Sequence, residues 1–156
     1  MKITWYGHAA FAIEALNDEG EPRKIILDPY NYPDCGGYLP IDEHADVVCI
    51  SHRNQKYHSD LSSIRGDFDL IEGLRILSRA KKAAGMRFEG HRVYENDARE
   101  GPNAMVKFTL EGITVAHQGD LGHAPRESDR AFLQDVDILL ALAGGPPPSA
   151  SPTSSG

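Results

Sequence analysis

The stretch that decides the fold is Ala45-Asp46-Val47-Val48-Cys49-Ile50-Ser51-His52-Arg53-Asn54-Gln55-Lys56-Tyr57-His58-Ser59-Asp60. Val47 to Ile50 is an unbroken apolar run with β-branched members, the pattern of a short strand buried on both faces. A polar loop carrying two histidines follows directly. In open α/β sheets, sites are built at the carboxyl ends of strands, so this loop is the first place to look for chemistry.

Upstream, Lys2-Ile3-Thr4-Trp5-Tyr6 reads as a strand broken by Gly7-His8. Residues 9–15 read as a second strand. Residues 17–22 hold the Asn, Asp, Gly and Pro of a turn, and Lys24 to Leu27 is a third strand, stopped at Asp28-Pro29. Residues 30–44 are an irregular loop rich in Tyr, Pro and Gly. Downstream, Asp60 to Gly66 reads as a short helical turn and Phe68 to Ile71 as a strand. Gly73 to Gly85 reads as a helix, with Leu74, Leu77, Ala80 and Ala84 near helical spacing, Gly85 at the C-terminal cap position, and Lys81 and Lys82 at the negative end of the dipole. Strands follow at Met86–Tyr94 and Ala104–Leu110. Glu111-Gly112 is a tight turn, and Ile113 to Ala116 is the return strand. Residues 127–134 read as a helix and Val136 to Leu142 as a last buried strand.

Composition narrows the class. The chain has 156 residues and a net charge of −7, with a pI near 5.4. One domain is expected, spanning residues 1–145, with a Pro- and Ser-rich tail over 146–156 expected to be disordered. The acidic balance gives no basic footprint for nucleic acid. No apolar run approaches the ~18 residues of a membrane span, and the amino terminus has no signal-peptide pattern. Cys35 and Cys49 are read as free thiols in a cytoplasmic protein.

The ordered motifs resemble the metallo-β-lactamase superfamily, in its lactonase-like branch. That family has a buried strand, Ser or Thr, then H-x-H-x-D-H. It begins with a strand, Gly-His, an apolar strand and a strand ending in Asp-Pro. Gly7-His8 and Asp28-Pro29 match in place, and Gly101-Pro102-Asn103, a hairpin and His117-Gln118-Gly119-Asp120 follow in family order. The resemblance implies an α/β fold, an αββα sandwich, here C-terminally incomplete because the family adds a strand, a helix and a final His beyond Gly144-Gly145. It implies zinc or another divalent metal, with His52 as first ligand and Asp120 as bridging carboxylate and catalytic group.

The pattern also departs from the family. Asn54, Lys56 and Tyr57 stand where strict spacing places the second His, the Asp and the last His, and Glu95 lies near the position of a third His. An ammonium 4 Å from a dication costs roughly 8 kcal/mol at an effective dielectric near 20, so Lys56 opposes a second metal. Lys56, or a protonated His52, is expected to pair with Asp120 in the metal's place. Donors that could complete a one-metal site are His58, Asp60, Glu95, His117 and His123, with His8, Asp28, Asn54, Lys56 and Tyr57 lining it. Two functions follow. One is a non-catalytic descendant with a lost or weakened site. The alternative is an active hydrolase of a lactone, ester or phosphodiester at a mononuclear site. The substrate is a small molecule without further definition, and an uncovered apolar face implies a homodimer.

Overall fold

The computed structural model describes residues 1–144. Two five-stranded sheets pack face to face. The first comprises β1 (Lys2–Gly7), β2 (Ala10–Leu16), β3 (Pro22–Leu27), β5 (Val47–Ile50) and β7 (Asp69–Glu72), in that spatial order. The second has the order β12-β11-β10-β9-β8, from β8 (Lys81–Ala83), β9 (Met86–Tyr94), β10 (Pro102–Leu110), β11 (Ile113–His117) and β12 (Ile138–Leu140). A two-stranded ribbon, β4 (Glu43–His44) with β6 (Ile64–Arg65), lies outside the first sheet.

The alternation of side chains along a strand explains the unbroken apolar run. Val47 and Cys49 point between the sheets, with Ile25, Leu27 and Ile71, against Phe88, Val106, Phe108 and Val115 of the second sheet. Val48 and Ile50 point the other way, with Ile26, into a second core closed by Tyr30, Ile41 and Ile64 from the loops. The first sheet is therefore buried on both faces at its centre, where β3, β5 and β7 run parallel.

Two helical expectations change. The segment from Gly73 to Gly85 is not a helix. It forms a single 3-10 turn, Gly73–Arg75, then β8, which returns antiparallel onto β9. Ala84 and Gly85 both have positive φ, 49° and 73°, the pair a type I′ hairpin requires. The turn fits the right-handed twist of the two strands, and Gly85 serves it rather than a helix cap. Residues 60–66 form a turn leading into β6 rather than a helical turn. The helix expected over 127–134 is present as α1 (Glu127–Phe132), the one α-helix among the described residues. The outer layer on the first sheet is built largely from loops. The expected tail, 146–156, lies outside the described residues. No helix among the described residues is long and apolar enough to cross a membrane.

Candidate metal centre

Strand ends supply the site from both sheets. Asp28 follows β3, and Ser51, His52 and His58 follow β5. Glu95 follows β9, and Asp120 follows β11. Asp28 sits at φ 43°, a left-handed conformation that Asp adopts more readily than most residues. Its carboxylate is fully buried. One oxygen accepts the Ser51 N–H at 2.7 Å, and the other accepts the Ser51 hydroxyl at 2.7 Å and lies 2.9 Å from His58 Nδ1. Burial pushes its carboxyl up, but the bond and charge of His58 and the Ser51 bond more than offset it, and it is held below the usual carboxylate range.

That arrangement fixes both histidines. The Ser51 hydroxyl hydrogen is committed to Asp28, so Ser51 Oγ accepts from His52 Nδ1 across 3.0 Å. His52 is then the Nδ1–H tautomer with its lone pair on Nε2. Burial, followed by the charge on His58, pulls the His52 pKa down, which keeps the ring neutral. His58 gives its Nδ1 hydrogen to Asp28 and turns Nε2 to Asp120 Oδ2 at 2.8 Å. Burial opposes the charge on His58, but the two carboxylates raise its pKa to about 10.

Asp120 is placed by Asn103. The buried Asn103 side chain accepts the Asp120 N–H at 2.9 Å and donates to the Gly101 and Asp120 carbonyls at 3.2 and 3.3 Å. Gly-Pro-Asn thus acts as a clamp on the Gly119-Asp120 loop. Gly119 has φ 63° and a Cβ there would come within 2.6 Å of Asn103 Oδ1, so the tight approach needs glycine.

The structure sorts the candidate residues. One donor atom from each of His52, His58 and Asp120 lies within 4.8 Å of the others. Glu95 Oε1 stands 3.7 Å from His52 Nε2 and can add a donor. His8 and the exposed Tyr57 line the same cavity, with His58 and Asp120. His117 and His123 do not join. His117 is buried with Nε2 on the Ala9 carbonyl at 2.8 Å and Nδ1 accepting the Gly119 N–H at 3.1 Å. His123 bonds the Ala124 carbonyl and the Tyr94 N–H. Asn54 closes the loop by accepting the Tyr57 N–H at 3.2 Å.

Lys56 does not reach Asp120. It is exposed, with its ammonium 5.0 Å above the Tyr57 ring. The cation beside Asp120 is His58. A neutral His52 lies at 3.7 Å. Strict H-x-H-x-D-H spacing puts the last histidine at residue 57; the histidine that reaches Asp120 is His58, one position later.

A divalent metal fits these residues. His52 Nε2 is buried and has no hydrogen-bond partner. It presents a lone pair toward the Glu95 and Asp120 carboxylates, each 3.7 Å away. Acceptors converging on acceptors repel unless a cation lies among them; the charged His58 serves Asp120, and His52 Nε2 is left without a partner. Two imidazoles and a carboxylate with an open side are also the donor set of a catalytic zinc site.

Comparison with known proteins agrees with the fold. Residues 2–154 match the profile of the beta-lactamase superfamily domain, and the chain belongs to that family. It has the metallo-β-lactamase fold. A protein from Thermotoga maritima, proposed to be a Zn-dependent hydrolase of the metallo-β-lactamase superfamily, superposes with a TM-score of 0.65 at 31% identity over 88% of this chain and 58% of that one. A UPF0173 protein from Pyrococcus furiosus is 27% identical over 93% of this chain and 71% of its own length. A UPF0173 metal-dependent hydrolase from Methanosarcina mazei is 28% identical over 74% of this chain and 44% of its own length. The chain therefore spans between under half and about seven-tenths of the proteins it resembles.

Proposed function

We propose that the protein is a metal-dependent hydrolase with a single-ion site formed by His52, His58 and Asp120, Glu95 standing by as a further donor. The observation that carries this is the buried, unpartnered Nε2 of His52 facing two carboxylates. Asp28 and Ser51 hold the two imidazoles with Nε2 inward, the buttressing that metal-binding histidines need. A divalent ion there would supply a Lewis acid that polarises a carbonyl or phosphoryl oxygen and acidifies a water. Asp120 is partly exposed and lines the cavity beside His58, so it is placed to take a proton from an attacking water. Substrates are esters, lactones or phosphodiesters.

A second reading, a binding module that keeps the fold without the chemistry, is favoured by Asn54 and Lys56, which leave no ligands for a second ion. Zinc added to chelator-treated full-length chain tests the proposal. Saturation at about 100 times Kd stabilises by about 2.7 kcal/mol, a rise in melting temperature of roughly 5–10 °C. His52→Ala and Asp120→Asn should abolish the rise. No rise in the unmutated protein would sink the metal site. A rise without hydrolysis of any ester, lactone or phosphodiester would establish the second reading.

A further inference from the structure

His8 lines the metal-centre cavity, and its own surroundings are unusual. The His8 backbone is left-handed, φ 48°, a conformation strained for a non-glycine residue that persists where neighbours enforce it. Three tyrosines enforce it. The His8 ring meets Tyr30, Tyr38 and Tyr57 edge to face, at centroid distances of 5.7, 4.8 and 5.5 Å. Trp5 adds a bond from its indole N–H to the His8 carbonyl at 2.9 Å and packs on Tyr38 at 5.8 Å. A Cβ on Gly7 would overlap the Tyr38 ring, so glycine lets Tyr38 lie against the strand end. Within this cage His8 Nε2 is buried and has no hydrogen-bond partner.

His8 stands where two cavities meet. One, of about 210 Å³, is lined by His8, Tyr57, His58, Asp120 and Leu142. The other, of about 570 Å³, is lined by Trp5, His8, Phe11, Tyr38 and Leu142, with no acidic side chain and no Lys or Arg among the described residues of its wall. His8 and Leu142 belong to both, so the larger cleft continues from the metal centre. Its size is that of a small-molecule site, and apolar walls with one or two polar groups are how such sites select a ligand. Trp5 is 58% exposed, leaving an indole face free to cover a guest.

We propose that this cleft is the substrate's apolar subsite: the hydrolase takes esters, lactones or phosphodiesters bearing an aryl or medium-length alkyl group, and His8 Nε2 hydrogen-bonds the polar group at the junction. The substrate class rests on the hydrolase reading; the cleft itself does not need the metal. Trp5 is the only tryptophan in the chain, so its emission reports the cleft directly.

The experiment titrates full-length protein with acetamide, butyramide, hexanamide and phenylacetamide in chelator. These neutral probes do not depend on a metal. Expected are a blue shift of Trp5 emission and affinity rising about fourfold per added methylene, the transfer of a CH₂ out of water. Tyr38→Ser, at a half-exposed position, should flatten the chain-length dependence while circular dichroism stays native. His8→Phe, which keeps the ring contacts, should weaken all probes by a similar factor. Unchanged emission, affinity independent of chain length, or wild-type behaviour of Tyr38→Ser would overturn the subsite. So would a Trp5 emission that shifts with protein concentration alone, because a second copy would then fill the cleft. Failure here with intact zinc stabilisation removes the subsite only; probe binding without zinc stabilisation removes the hydrolase and leaves the cleft.

Discussion

Asp28→Asn tests how the site is held. Asn tolerates the left-handed backbone at this position, so the change isolates the carboxylate. Asp28 accepts from the Ser51 N–H, the Ser51 hydroxyl and His58 Nδ1, all within 2.9 Å and out of solvent. Asn can keep the first bond through its carbonyl oxygen. Its amide then faces the Ser51 hydroxyl and His58 Nδ1, two donors against a donor. Each lost charge-assisted bond is worth about 1.5–3 kcal/mol. Relief from burying a carboxylate returns part of that, so the net loss is roughly 2–4 kcal/mol. For a chain of this size that lowers the melting temperature by roughly 5–15 °C. The assay is thermal unfolding in chelator, followed by zinc titration. Because Asp28 sets the inward face of both imidazoles, zinc affinity should also fall about 10- to 100-fold. A variant melting within about 2 °C of the parent, or binding zinc equally well, would refute the view that Asp28 organises the site.

Lys56→Met should change stability by less than about 0.5 kcal/mol, as for most surface positions, because the ammonium lies over Tyr57 and not on Asp120; a larger loss in chelator melts would restore Lys56 to the site. Asp129 is buried, and although burial pushes its carboxyl up, Arg126 and His91 bring it down to about 2 from 3.8. A depressed pKa stabilises above the unfolded value, so roughly 2 kcal/mol present above about pH 4 should be lost as pH falls toward 2; acid unfolding of Asp129→Asn parallel to the parent would contradict this. We further propose a homodimer: β12 is a sheet edge with Leu139 44% exposed, and a monomeric mass by light scattering across micromolar concentrations would reject it.

Much of the fold is legible in the residues. Val47 to Ile50 reads as a strand buried on both faces because both its neighbours and its two cores are apolar. Glu111-Gly112 and the strands around it read correctly because a tight turn between two β-rich runs has few alternatives. The segment from Gly73 to Gly85 misleads, since a short run of Leu, Ile and Ala fits a helical stripe as well as a 3-10 turn and an edge strand. Only the left-handed pair Ala84-Gly85 separates them, and Ala84 gives no warning of it. At the site, fixed spacing assigns Tyr57 and hides His58, because a loop that folds back can bring in a side chain one position away from the motif's own. Asn103 is visible as part of a motif, but its clamp on Asp120 depends on two loops meeting.

The donors belong to different halves of the sandwich. His52, His58 and Asp28 hang from the first sheet, and Asp120 and Glu95 from the second. At this end the sheets are joined by few direct bonds, among them the Ala104 N–H to the Ser51 carbonyl at 3.0 Å and His117 to the Ala9 carbonyl at 2.8 Å. An ion shared by His52 and Asp120 would therefore act as a rivet across the seam. Its strength would appear in how rarely that seam opens, more than in the stability of either sheet. Amide exchange at Ser51, Ala104 and Asp120 should slow on zinc loading, while exchange at the far end, around Asn17 and Glu111, keeps its rate.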